Sequence, residues 1–366
     1  MLFVLSFVLS FSLYAKDSDT LKIGVILPLT GEVAGFGKQL KNGIEEAQKR
    51  SQFRNYQIFY EDTQGTPQGT YSALNNLVKR KKVHLLLGEI TTKDSTVAAD
   101  YAKTEKMPLI SPGAGNNDLT LNNPWVSRIC FHNEYQGTEL ANFAFKDLKV
   151  KQVAILSSLE SPFSQENDKA FTNQMKKLGV KIVAHNFYSE KDISFSHLFQ
   201  GVKNAQAVFL PDYYPKAAMI LREARKRGLN QPFLGPDGWE DPGFFQLAKE
   251  YSPGNYLLSH YFPTDLKKGD FPFEFQKNYG HLPGVLEALG YDVLNFSLAA
   301  AAQTLKKDSD PLRLTATAPQ DLQNSIRKMK DFKGVTGKIT IDGKGNAQKS
   351  GFILKTRLKD YELVSF

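Results

Sequence analysis

Cysteine is almost absent from this chain. Cys130 is the only one in 366 residues, which excludes an intrachain disulfide and any metal site built on several thiolates. Flanked by Ile129 and Phe131, it reads as a small buried hydrophobe. Histidine is sparse too: the six, at 84, 132, 185, 197, 260 and 281, show neither an H-E-x-x-H pattern nor a paired spacing, and no G-x-S-x-G nucleophile turn occurs. They read as scattered core or surface side chains, so an enzyme finds no support in motif and no cofactor is called for. Residues 31–38 fail as a phosphate loop, because Gly31 is one residue too far from Gly37-Lys38 and Gln39 stands where a magnesium-binding Ser or Thr belongs. The turn 342–346 lacks the later acidic ligands of a calcium loop.

Strong charge bias is missing as well. The net charge of +8, from 46 basic against 38 acidic residues, is spread along the chain with small clusters at 79–82 and 222–227. Neither cluster is interleaved with stacking aromatics, so solvated helix faces are expected rather than a nucleic-acid groove. Residues 1–15 carry no charged side chain and end Tyr14-Ala15 before Lys16. That run reads as a secretory signal peptide with a small residue at the cleavage point; it is short for a membrane span and, lacking Cys, gives no lipoprotein anchor.

What the chain does have is apolar material, 41% of residues with 12% aromatic, which excludes a disordered or fibrous protein. Its length suits two domains. Strands are expected at 21–29, 56–61, 83–87, 109–110, 125–129, 153–157, 180–187, 207–211 and 233–235. Helices are expected between them, at 38–50, 71–82, 92–105, 134–146, 165–178 and 214–228, and after them at 272–279, 286–305 and 321–329. Strand and helix alternating in this way mean α/β architecture with doubly wound parallel sheets and right-handed crossovers. Periodicity by itself supports two successive α/β units. The tail reads as a hairpin, 338–342 with 351–357, around a Gly/Asn turn.

The stretch 83–120 organises the rest. A buried strand runs to Gly88, and Thr91 and Thr92 supply N-cap hydroxyls for a helix to about 105. Pro108 precedes the next strand, and Ser111-Pro112-Gly113-Ala114-Gly115 is a loop with unusually bare backbone. Two successive strand ends thus offer hydroxyls, amides and carbonyls on one sheet edge, the edge where open α/β sheets hold ligands.

These motifs, with Leu21 to Val25, Pro28-Leu29-Thr30-Gly31, Phe36-Gly37, Phe233 to Trp239 and Ala288 to Asp292, resemble in order and spacing the type I periplasmic solute-binding proteins of the leucine/isoleucine/valine branch. The resemblance covers nearly the whole chain after residue 20. It implies two lobes joined by a three-strand hinge that closes around a ligand. Residues 21–130 plus 262–333 would form the first lobe and 131–261 plus 334–366 the second, with crossings at 130–133, 256–262 and 332–337. It further implies a periplasmic monomer that hands an amino acid or related carboxylate to an ABC permease in the inner membrane. The competing implication is a protein of the same fold that acts by protein contact, as cell-wall synthase activators do.

The resemblance also assigns roles. Thr92 matches a Ser that donates to the ligand carboxylate, beside Thr91. In the loop Gly113 to Gly115, which includes Ala114, the first carbonyl would meet the ammonium and the last amide the carboxylate. Gly115 departs from the Thr common in amino acid binders, and one hydroxyl is missing there. Asp237 matches the acid that faces the ammonium, one methylene shorter than the Glu of several leucine binders. Phe36 and Phe163 stand where the family has Tyr, Tyr213 or Tyr214 matches a Tyr-Tyr-Pro turn, and Trp239 and Tyr291 are further wall candidates. Phe in place of Tyr removes hydroxyls, which favours an apolar ligand.

Overall fold

The structure, a computed structural model, describes residues 19–365 apart from 265 and 308; the expected signal peptide at 1–15 lies outside them. The first unit alternates β1 (Leu21–Leu27), α1 (Ala34–Arg50), β2 (Tyr56–Asp62), α2 (Pro67–Asn75), β3 (Leu85–Leu87), α3 (Thr92–Glu105), β4 (Leu109–Ser111) and β5 (Val126–Arg128). Its five strands pair in parallel in the order β2-β1-β3-β4-β5. Along β1 the pleat sends Leu21, Ile23, Val25 and Leu27 to one face and Ile26 to the other. Both faces are therefore covered, as a parallel sheet requires.

The second unit continues with α4 (Asn133–Lys146), β6 (Gln152–Ser158), α5 (Pro162–Lys177), β7 (Lys181–Tyr188), β8 (Ala207–Phe209), α6 (Tyr214–Lys226), β9 (Phe233–Gly235), α7 (Pro242–Ala248) and β10 (Tyr256–Ser259). The chain then returns to the first unit through α8 (Phe271–Tyr279), α9 (Val285–Ala302) and α10 (Pro319–Lys328). Helix α9 is apolar enough in length and composition to cross a membrane, yet here most of it is buried as a core helix against α1. The approach is close: a Cβ on Gly43 would fall 1.9 Å from the Glu287 carbonyl oxygen, and one on Gly290 would fall 2.3 Å from that of Leu40. Only glycines allow these two backbones to touch.

The tail departs from the expected hairpin. β11 (Phe332–Gly334), β12 (Gly337–Ile341) and β13 (Ala347–Gln348) form a small antiparallel sheet of their own. It sits by α9 and α10, with Arg327 donating to the carbonyls of Gly343 and Lys344 and the Arg128 amide donating to the carbonyl of Gly345. β14 (Phe352–Thr356) and β15 (Tyr361–Ser365) instead join the other sheet, whose order is β15-β14-β10-β9-β8-β6-β7. Residues 335–348 thus lie with the first unit, and the third crossing falls at 349–351 rather than at 332–337. The physical reason is the Asp342 carboxylate, which accepts from the amides of Lys344 and Asn346 at 2.8 Å. It closes a tight local hairpin and leaves 351–357 free to pair with β10. Helix α7 and strand β15 are too short for a periodic signal, and the sequence reading passes over both.

The glycine contact between α1 and α9 carries a prediction. Gly290→Ala should destabilise the fold by about 1–3 kcal/mol, the usual penalty of overpacking, and lower the thermal unfolding midpoint by several degrees. An unchanged midpoint would mean that the two helices do not touch as described.

Candidate functional site

The C-terminal ends of β3, β4, β8 and β9 face one another across a crevice between the two sheets, where Phe36, Ile90, Thr92, Gly113, Gly115, Phe163, Tyr213, Asp237, Gly238, His260, Val285, Leu286 and Leu289 surround a cavity. Its empty space, counted to the open mouth, is about 400 Å³. The lobes meet around it. The Thr92 amide donates to the Tyr213 hydroxyl at 3.1 Å, Gln39 Nε2 to Asp241 Oδ2 at 2.6 Å, and the Asn117 amide to Glu166 Oε2 at 3.0 Å.

One end of the cavity is rich in donors. Thr91, not Thr92, caps α3, accepting from the Asp94 amide and donating to its carboxylate. Thr92 is thereby released to the cavity, where its buried hydroxyl, close to that of Tyr213, completes no well-formed hydrogen bond among the described residues. The Tyr213 hydroxyl, having accepted from the Thr92 amide, still has its own hydrogen to give. Burial raises its pKa, so it stays neutral. The loop after β4 is clamped: Ser111 Oγ accepts from the Ala114 amide, the Ala114 carbonyl accepts from Arg128 and Cys130, and the Gly115 carbonyl accepts from the Asn133 amide at 2.6 Å. The Gly113 carbonyl and the Gly115 amide take no protein hydrogen bond among the described residues.

Asp237 stands in the same cavity, at the start of the short turn after β9. Its amide donates to Gln136 Oε1 at 2.9 Å, and its Oδ2 lies 3.1 Å from His260 Nε2. The His260 ring is buried and lies flat on Phe131, centroids 3.4 Å apart. Burial pushes its pKa down to about 4 against the opposing pull of Asp237. The remaining wall is apolar: Phe163 stacks on Tyr213 at 4.5 Å, Phe36 meets Tyr213 edge-on, and Ile90, Val285, Leu286 and Leu289 complete it.

A family model described as periplasmic binding protein matches residues 20–357. The chain belongs to the periplasmic binding protein family. It is 24% identical, over 98% of its own length and 95% of the relative's, to a leucine-, isoleucine-, valine-, threonine- and alanine-binding protein of Pseudomonas aeruginosa. Among solved structures it is similar to the leucine-binding protein LivK of Thermotoga maritima, with a TM-score of 0.87, 28% identity and coverage of 94% of this chain and 98% of that one. It is also similar to LivJ of Streptococcus pneumoniae, solved with isoleucine, with a TM-score of 0.85, 25% identity and coverage of 94% and 99%. The two-lobed periplasmic-binding-protein fold is thus the one implied by its motifs, and the family is one of extracytoplasmic proteins that capture small solutes for ABC importers.

Of the residues the sequence singles out, Phe36, Thr92, Gly113, Gly115, Phe163, Tyr213 and Asp237 come together around the cavity. Five do not. Thr91 faces an outer chamber at the cleft mouth. Ala114 is fully buried behind its loop. Tyr214 lies behind Phe36, edge-on at 5.2 Å. Trp239 is fully buried core, its indole donating to the Leu210 carbonyl and lying where a Cβ on Gly235 would be. Tyr291 packs on Phe271 at 4.4 Å, away from the cavity. The bare Gly115 is explained too, since Asn133 Oδ1 fills the place of its Cβ. Sequence reasoning missed Ile90, Gly238, His260 and the apolar trio of α9. The position of His260 at the end of a strand entering the hinge was the available signal.

Glu240, buried beside this turn, is pushed up to about 8 by burial, with Asp237 adding to the shift. Unfolded, the same acid ionises near 4.5. Between those values folding holds a proton on Glu240 that the unfolded chain releases, so this residue's contribution to stability falls by about 1.4 kcal/mol per pH unit as pH rises. Glu240→Gln should therefore flatten the decline of the unfolding midpoint across that interval. An unaltered slope would show that Glu240 is ionised in the fold.

Proposed function

We propose that this chain captures an amino acid with an apolar side chain and delivers it to an ABC permease, working as a periplasmic monomer exported through residues 1–15. The observation that carries the reading is the arrangement of three kinds of surface around one cavity. Hydroxyls and amides at Thr92, Tyr213 and Gly115 suit a carboxylate at the N-terminus of α3. Asp237, with the Gly113 carbonyl, suits an ammonium. Ile90, Val285, Leu286, Leu289, Phe36 and Phe163 suit an apolar side chain. The relatives named for branched-chain amino acids point the same way.

Other structures of similar fold were solved with 3,4-dihydroxybenzoic acid, at 22% identity, and benzoate, at 18%. At that distance the likeness concerns the fold. An aromatic acid without an amino group would leave Asp237 unanswered in a buried site, which favours a zwitterion. No bond is made or broken in this scheme: binding energy is spent on closing the lobes. Tyr213 on one lobe and Thr92 on the other, already in contact, would cover the carboxylate.

The test is thermal unfolding and calorimetry of the chain from Lys16, stripped of bound solute by unfolding and refolding, against the amino acids and small carboxylates. A stabilising shift is expected with one or more of leucine, isoleucine, valine and phenylalanine. Asp237→Ala and Thr92→Ala should each weaken binding about ten- to a hundredfold, the loss of one charge-assisted hydrogen bond in a buried site. A shift with carboxylates alone, or with nothing, would sink the amino acid reading.

A further inference from the structure

We propose that His260 is a positioning residue that makes this cavity select for an amino group: it occupies one oxygen of Asp237 and leaves the other to the ligand ammonium. The inference deepens the amino acid reading and rests on it.

The geometry runs through three contacts. Asp237 accepts at Oδ2 from His260 Nε2 at 3.1 Å. An ionised carboxylate has no hydrogen to give, so Nε2 must carry the ring proton. The ring cannot swing away, because it is buried and pressed flat on Phe131, a residue of the first crossing between lobes. Its other nitrogen, Nδ1, is buried without a partner among the described residues, as expected for the unprotonated side of this tautomer. The Asp237 amide, held by Gln136 Oε1, fixes the backbone end of the same residue. Asp237 is thus anchored at its backbone and at one carboxylate oxygen.

Charge makes the arrangement selective. The groups acting on the His260 ring are Asp237, which favours its protonation, and Lys349 on the third crossing, which opposes it along with burial. Lys349 itself donates to Thr336 Oγ1 at 2.7 Å. A neutral imidazole donates a hydrogen bond to Asp237 without cancelling its charge. A lysine or arginine in its place would satisfy the carboxylate outright and leave nothing for an ammonium. The site therefore keeps a net negative point, fixed in direction, and a ligand lacking an amino group gains nothing from it.

The experiment compares each of leucine, valine and phenylalanine with its des-amino acid, such as 4-methylpentanoate for leucine, by calorimetry on the wild type, His260→Leu and His260→Gln. The His260→Leu change removes the donor, and affinity for the amino acid should fall about tenfold while that for the des-amino acid moves less than about twofold. The His260→Gln variant, whose amide can donate to Asp237, should recover most of the loss. Equal loss of both ligands, or no rescue by Gln, would overturn the positioning role while leaving amino acid capture standing. No amino acid binding to the wild type would remove that capture and this inference together. Should the His260→Leu variant not fold, nitrogen-resolved NMR of wild-type His260 decides: the proton is expected on Nε2, with a titration midpoint near 4 that moves lower in Asp237→Asn. A proton on Nδ1 would overturn it.

Discussion

A carboxylate inside a mostly apolar crevice must have its charge answered, and Asp237 imposes that requirement on everything around it. One oxygen is met by His260, its own amide is tied to Gln136, and the walls facing it are Phe, Leu, Ile and Val side chains. Donors on Thr92 and Tyr213 line the same cavity. The cavity is polarised as a result: it combines an acid and hydroxyl donors with an apolar wall. An α-amino acid has three matching parts, an ammonium and a carboxylate on one carbon and an apolar side chain beside them.

The polarised cavity depends in turn on how the strands end. Parallel sheets place successive strand ends on one edge, and two such sheets set edge to edge bring the Thr92 amide of one lobe within 3.1 Å of the Tyr213 hydroxyl of the other. The residues around the cavity come from both lobes. The three crossings run through Cys130 to His132, through His260 to Phe262, and through Lys349 to Gly351. His260 touches Phe131 of the first directly and feels the charge of Lys349 in the third. The acid that would read the ligand's ammonium is thereby held by a residue of the hinge itself.

Much of this was legible in the sequence for local reasons. The buried run at 83–87, of which 85–87 forms β3, the N-cap hydroxyls of Thr91 and Thr92, of which Thr91 caps α3, Pro108 before β4 and the bare loop from Gly113 to Gly115 are short-range signals, and each led to the element it suggested. What failed was choice among neighbours. Tyr213 and Tyr214 are adjacent and alike, yet one closes the cavity and the other backs Phe36, because the first is the N-cap residue of α6 and the second already lies in its first turn. Trp239 follows Asp237 by two residues, and the short helical turn between them sends the indole into the core. The hairpin of the tail erred for a similar reason: a five-residue strand carries no record of which partner it will find.

The sequence by itself determined the α/β alternation, the strand ends that carry polar groups and the family to which they correspond, because those depend on residues close together in the chain. The tertiary structure alone decided that His260 backs Asp237, that Asn133 takes the place of a side chain at Gly115, and that Leu286 and Leu289 line the pocket. Each of these joins residues far apart in the chain, and only packing of the two sheets fixes which side chain meets which.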